Sequence, residues 1–311
     1  MLNKIQSVCP AQKIAIIGAG AVGATTAYTL MFKNLASEVI LIDVNEAKEE
    51  GEVLDISDGL CFAETGCVVG ASFKDAADAD VIILTAGAAQ KPGETRLDLV
   101  NKNKAICASV FKEIGKIKST AVIIVVANPV DIVTYMAQEL SGLPLGQVFG
   151  TGTGLDTARL KTAIGKKLGV YPQSVDGFVM GEHGDSEFVP WSTVSVGGVS
   201  GGKLFSESEQ KAIADDVRTE VYEIIHRKGA TFYGIAAVTT DIVEAVLFNQ
   251  HKVMPASTRL NNYNGVSGVC LGVPAVIGRS GVEKVWSVEL TAGEKKRFKK
   301  SAETIKQYLK K

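Results

Sequence analysis

Apolar residues in the first half of the chain fall in short unbroken runs, each followed by glycine or small polar residues and then by a stretch with helical periodicity. Residues 13–17, 38–42, 67–72, 80–85 and 121–126 read as strands. Runs without alternation mark strands covered on both faces, as in a parallel sheet. Helical stretches at 24–33, 46–60, 97–117 and 130–140 separate them, and a short strand at 148–150 follows the break Gly142-Leu143-Pro144. Such alternation predicts an α/β fold with a doubly wound (Rossmann) parallel sheet, whose ligand crevice lies beyond the C-terminal strand ends. From residue 151 the pattern turns to longer helices, at 207–228 and then onward to about 248, and to less regular strands. A strand is expected at 188–197, and strands at 250–259 and 269–277 suggest a second, mostly antiparallel sheet. Thr291-Ala292-Gly293-Glu294 has the spacing of a capping box for the terminal helix. The expected division is a doubly wound unit over 1–150 and a mixed α+β unit with antiparallel strands over 151–311.

Composition narrows the chemistry. Lys+Arg of 33 against Asp+Glu of 34 gives a formal charge of -1, which offers no electrostatic footprint for nucleic acid or an anionic membrane. Small-molecule chemistry is the better expectation. Cys9, Cys61, Cys67, Cys107 and Cys270 are scattered, without metal-ligand spacing, and read as reduced thiols with no metal expected. No long apolar run precedes the first strand and no window approaches a membrane span, so a cytoplasmic protein is expected. The lysines of the last helix read as a solvated face.

The first strand runs into Gly18-Ala19-Gly20-Ala21-Val22-Gly23 and then a helix. In that context Gly18 permits a tight turn, Gly20 lets backbone approach a pyrophosphate, and Gly23 lets helix and strand pack closely. Asp43 ends the second strand 20 residues beyond Gly23, where a carboxylate accepts hydrogen bonds from the adenosine ribose and repels a 2'-phosphate. With no arginine close behind it, NAD is favoured over NADP. Thr85, Ala86 and Gly87 close another strand, and Val126 and Asn128 a further one, so all five join the expected cofactor set. Asn128-Pro129 is a candidate cis peptide. The polar segment 87–95 reads as a lid that would carry Arg96 to a substrate.

His183, one of three histidines, lies in Gly181-Glu182-His183-Gly184-Asp185 and is the candidate proton donor and acceptor. His226 and His251 read as structural or surface residues. Asp156 and Arg159, three apart on one helical face, admit two readings. They form a local ion pair, or Asp156 orients an imidazole while Arg159 clamps a carboxylate. Nearness to His183 in the fold decides between them. Together these are the parts of a hydride-transfer site for a small oxo acid.

In order along the chain, the glycine turn at 18–23, Gln90-Lys91-Pro92-Gly93-Glu94-Thr95-Arg96, Asn128-Pro129, Leu155-Asp156-Thr157-Ala158-Arg159 and the His183 segment resemble the L-lactate branch of the lactate and malate dehydrogenase family. That resemblance covers nearly the whole chain. It implies reversible hydride transfer between NADH and pyruvate, giving L-lactate, as in fermentative glycolysis. His183 would serve as acid and base, Asp156 as its orienting partner, and Arg96 would polarise the ketone. Arg159 would hold the carboxylate, with Asn128, Thr231 and Ile235 lining the pocket. Gln90 stands where malate dehydrogenases carry arginine, so lactate is favoured over malate; a broader L-2-hydroxy acid dehydrogenase, acting for example on 2-hydroxyisocaproate, is the alternative. Relatives activated by fructose 1,6-bisphosphate carry an arginine and a histidine where this chain has Lys161 and Asp176, which implies weak or absent activation. The short lead before Gly18 favours a bacterial-type enzyme, and the family implies a homotetramer.

Overall fold

The computed structural model describes residues 12–64, 66–88 and 96–309, with the side chain of Arg96 excepted. Gln90 and most of the expected lid lie outside the described residues. Each apolar run of the first half becomes a strand and each periodic stretch a helix. The order is β1 (Lys13–Ile17), α1 (Ala21–Phe32), β2 (Glu38–Ile42), α2 (Glu46–Asp58), β3 (Val68–Gly70), β4 (Val81–Leu84), α3 (Arg96–Ile114), β5 (Val122–Val125), α4 (Val130–Leu140) and β6 (Val148–Gly150). These six strands pair in parallel in the order β3-β2-β1-β4-β5-β6. The chain therefore winds outward from β1 through β3 and returns to β4, leaving a crevice where the winding reverses. Register decides what meets there: Ile17 pairs with Ile42 on one side and Leu84 on the other. Gly18, Asp43 and Thr85 consequently emerge side by side.

Alternate strand residues feed two cores, one on each face. Ile14 and Ile16 pack with α1 and with Val243 and Val246, while Ala15 and Ile17 pack with Cys107, Val110 and Val133. All four strand residues are fully buried, which is why these runs show no polar alternation.

The second half supplies α5 (Gly154–Leu168), β7 (Val175–Asp176), β8 (Ser195–Val196), β9 (Val199–Ser200), α6 (Gly201–Leu204), α7 (Glu207–Lys228), α8 (Tyr233–Leu247), β10 (Lys252–Arg259), β11 (Cys270–Gly278), β12 (Gly281–Val285) and α9 (Ala292–Leu309). Two expectations need correction. The antiparallel strands β10 to β12 do not form a separate sheet: β10 bonds to β6 through Ser257 and Gly150, extending the parallel sheet to nine strands. Residues 188–197 are not one strand. Phe188 makes an isolated bridge with Met180, a 3-10 turn occupies Trp191–Thr193, and only Ser195–Val196 pairs, within a small sheet β7-β8-β9. Pro190, which has no N–H to give to a ladder, breaks the run. The capping box is formed: Thr291 Oγ1 accepts from Glu294 N–H at 3.3 Å, and the Glu294 carboxylate accepts from Thr291 N–H at 2.8 Å. No helix of the described residues is long and apolar enough to cross a membrane.

Candidate active site

Three glycines of the first turn have three different surroundings. Gly18 has φ of +109°, and a Cβ there would meet Ala86 N and Thr85 Oγ1 at 2.8 Å. A Cβ on Gly23 would strike the carbonyl of Gly18, so bare backbone is what lets α1 lie against the turn. Gly20, the residue preceding α1, has nothing of the described residues within 4 Å of a Cβ position. Open space at the helix N-terminus, where first-turn N–H groups lack intrahelical partners, fits a pyrophosphate. Asp43 is fixed beside it: its carboxylate accepts from Ala19 N–H at 2.7 Å and from Asn45 N–H at 2.9 Å. Thr85 Oγ1 donates toward the carbonyls of Ile17 and Gly18 at 2.9 Å, so its hydroxyl braces the turn. Gly87 packs against Ala127, and buried Asn103 accepts from Ala88 N–H and donates to the Asn128 carbonyl, tying the two strand ends together. Asn128-Pro129 is cis.

Beyond the glycine turn lies a cavity of about 240 Å³ lined by Val22, Val126 and Asn128 from the first half. Asp156, Arg159, His183, Thr231 and Ile235 line it from the second. Asp156 does not choose between the two readings of the sequence. One oxygen accepts from Arg159 Nη1 at 3.1 Å while the other meets His183 Nδ1 at 2.6 Å. With Nδ1 engaged, Nε2 is the ring nitrogen left to act on a ligand. Arg159 Nη2 is buried and has no hydrogen-bond partner among the described residues. A buried guanidinium nitrogen without a partner at a cavity wall fits a carboxylate ligand.

Electrostatics follow from this arrangement. Burial would lower the pKa of His183, but Asp156, then Glu187 and Asp131, outweigh it and raise the imidazole to about 9. Burial likewise opposes ionisation of Asp156, yet His183 and Arg159 hold its carboxyl below the ordinary range. Behind the histidine, Asp131 is buried on α4 and accepts from His183 N–H at 2.9 Å and from Ser257 Oγ–H at 2.5 Å. Burial is the main cause that raises Asp131, to about 6.

Sequence reasoning missed Asp131, Ser257, Asn103 and Glu187. Asp131 had one legible signal, an acid three residues past Asn128, in the first turn of a helix and flanked by Val130, Ile132 and Val133. Glu187, four residues past His183, had none, because only the turn closed by Glu187 N–H and the Gly184 carbonyl brings its side chain back to the cavity. Among the expected residues, Gly18, Gly20, Ala21, Gly23, Asp43, Thr85, Ala86 and Gly87 sit at the crevice mouth rather than on the cavity wall. Gln90 and the Arg96 side chain lie outside the described residues.

Comparison with known proteins matches residues 12–150 to "lactate/malate dehydrogenase, NAD binding domain" and residues 153–311 to "lactate/malate dehydrogenase, alpha/beta C-terminal domain". An L-lactate dehydrogenase of Clostridium botulinum (strain 657 / Type Ba4) is 44% identical over 304 residues, covering 96% of each chain. One from Thermoanaerobacterium saccharolyticum is 41% identical over 305 residues, covering 96% of this chain and 98% of that protein. The ligand-bound crystal structure of the minor L-lactate dehydrogenase of Enterococcus mundtii superposes with a TM-score of 0.93 at 41% identity, over 96% of this chain and 98% of that one. MGS-M5, a lactate dehydrogenase from a Medee basin deep-sea metagenome library, gives 0.92 at 35% identity, with the same coverage.

Proposed function

The chain belongs to the lactate/malate dehydrogenase family, and on that premise we propose that it is an NAD-dependent L-lactate dehydrogenase interconverting pyruvate and L-lactate. The observation that carries this reading is the set of three groups on one cavity wall. An aspartate-backed imidazole stands beside a buried arginine nitrogen that lacks a partner among the described residues. When bound, NADH supplies the hydride to C2 of pyruvate. Arg159 holds the carboxylate, and its unpartnered Nη2 makes the second bond of a bidentate clamp. His183, charged at neutral pH, gives its proton to the oxygen where negative charge develops, and Asp156 steadies both the tautomer and the cation. Asn128 and Thr231 line the substrate end, and Arg96 arrives from the lid. Gly18, Gly20, Ala21, Val22, Gly23 and Asp43 take the pyrophosphate and adenosine ribose, with Thr85, Ala86, Gly87 and Val126 along the rest of the cofactor's path. In this reading residues 1–150 serve the cofactor and 151–311 the substrate.

Three finer readings accompany it. Gln90 selects pyruvate over oxaloacetate, since closing a lid over an unpaired second carboxylate leaves a buried charge costing several kcal/mol. Fructose 1,6-bisphosphate does not activate strongly: Asp176 and Asp241 lie close enough to Lys161 to offset its charge, and an aspartate repels a phosphate. The enzyme works as a cytoplasmic homotetramer, a reading supported by exposed Tyr28 and Phe32 on α1 and Leu54 on α2. The deciding experiment is kcat/KM with NADH for pyruvate, oxaloacetate and 2-oxoisocaproate, with and without the bisphosphate. Pyruvate is expected to lead by orders of magnitude, with no response to the effector. Preference for the branched acid would make this a broader 2-hydroxy acid dehydrogenase.

A further inference from the structure

Glu187 has no role in the reaction described above, yet it stands inside the catalytic cluster. Carboxylate oxygens of Asp156 and Glu187 and a ring nitrogen of His183 all lie within 4.8 Å of one another. Asp156 already spends one oxygen on Arg159 and the other on His183. A second carboxylate pressed against it in a mostly enclosed site meets like charge at close range, and such pairs keep a proton between them. We propose that Glu187 carries that proton and donates it to Asp156, as a positioning residue that keeps Asp156 turned to His183 and withholds a second negative charge from the place of the substrate carboxylate. Burial first, and the Asp156 carboxylate second, push the Glu187 carboxyl well above its ordinary range, while His183 and Arg159 pull the other way.

Other charged groups around the cavity are already engaged. From α7, Arg218 pairs with Asp215 at 2.8 Å and Tyr222 donates to Asp185 at 3.2 Å. Asp131, from α4, is held behind His183 by Ser257 and the His183 N–H. Glu187 also borders a second, wider groove between α7 and α9, where Lys211, Arg297 and Lys300 stand, so its proton has a route to water that does not cross the substrate.

The proposal rests on the lactate dehydrogenase reading, and its test separates the two. In wild type, alkaline loss of kcat/KM for pyruvate reduction removes two protons, from His183 and Glu187, and approaches a limiting slope of about two. Glu187→Gln, whose amide donates to Asp156 at every pH, is expected to show a slope of about one. Infrared spectra at about pH 8, where Asp131 has ionised, supply a readout independent of turnover. A protonated-carboxyl stretch is expected in wild type and absent from Glu187→Gln. Superimposable alkaline limbs, or no such difference band, overturn the proposal. A wild type that does not reduce pyruvate overturns the parent reading instead, and the infrared band still tests the shared proton.

Discussion

At the residue scale, the Asp156–His183 contact sets the pH behaviour of both directions. Because the folded imidazole is raised to about 9, pyruvate reduction, which needs the protonated ring, is expected to hold through neutral pH and to fail above about 9. Lactate oxidation needs the neutral ring and is expected to rise as the imidazole loses its proton, up to the pH at which Glu187 ionises beside the substrate carboxylate. Asp156→Asn removes the strongest of the charges that hold the proton on His183, so the alkaline limit of reduction moves down by at least about one pH unit and kcat falls, as pH-rate profiles will show. Arg159→Lys tests the clamp. A lysine offers a point charge in place of a planar fork, and the expected loss in kcat/KM for pyruvate is about 100-fold, carried mainly by KM. Much of this was legible in the sequence: His183, Asp156 and Arg159 were all nameable from spacing and context. That Asp156 serves both partners at once was not, because spacing places two residues on a helix face without saying what lies opposite. Glu187 was invisible for a related reason, since its partner is 31 positions away, across a turn that no residue pattern announces.

At the element scale, the turn between β1 and α1 separates two uses of glycine that one motif conceals. Gly23→Ala forces a methyl into the Gly18 carbonyl and is expected to lower stability by about 2 kcal/mol, visible as a fall in Tm without ligand. Gly20→Ala meets open space, so Tm without ligand should hold while the Kd for NADH rises about tenfold or more. Equal effects at both positions would mean that the space above Gly20 is not where the pyrophosphate lies. Strands buried on both faces announced themselves as apolar runs, and β1, β2 and β6 match their expected spans. The two-residue strands did not, because β7, β8 and β9 are too short for any periodicity. The continuity of the sheet through β10 was hidden too. It depends on one pairing, Ser257 with Gly150, between residues more than a hundred positions apart.

At the scale of the whole molecule, α4 and β10 meet behind the catalytic histidine through Asp131, which accepts from both Ser257 and the His183 backbone. Asp131→Asn cannot accept from both donors as two carboxylate oxygens do, so a drop of about 2 kcal/mol in stability with a lowered kcat is expected, read by denaturant titration and turnover. Light scattering of the purified chain is expected to give four times the mass of one subunit; a monomer would contradict the tetramer reading. The same anchor bears on how such chains can be recombined. A crossover between relatives at Gly150 leaves residue 131 with one parent and residues 183 and 257 with the other. Hybrids made at that point inherit the support of their histidine from two lineages, so these three positions must travel as a set if a transplanted half is to arrive with its acid and base already aimed.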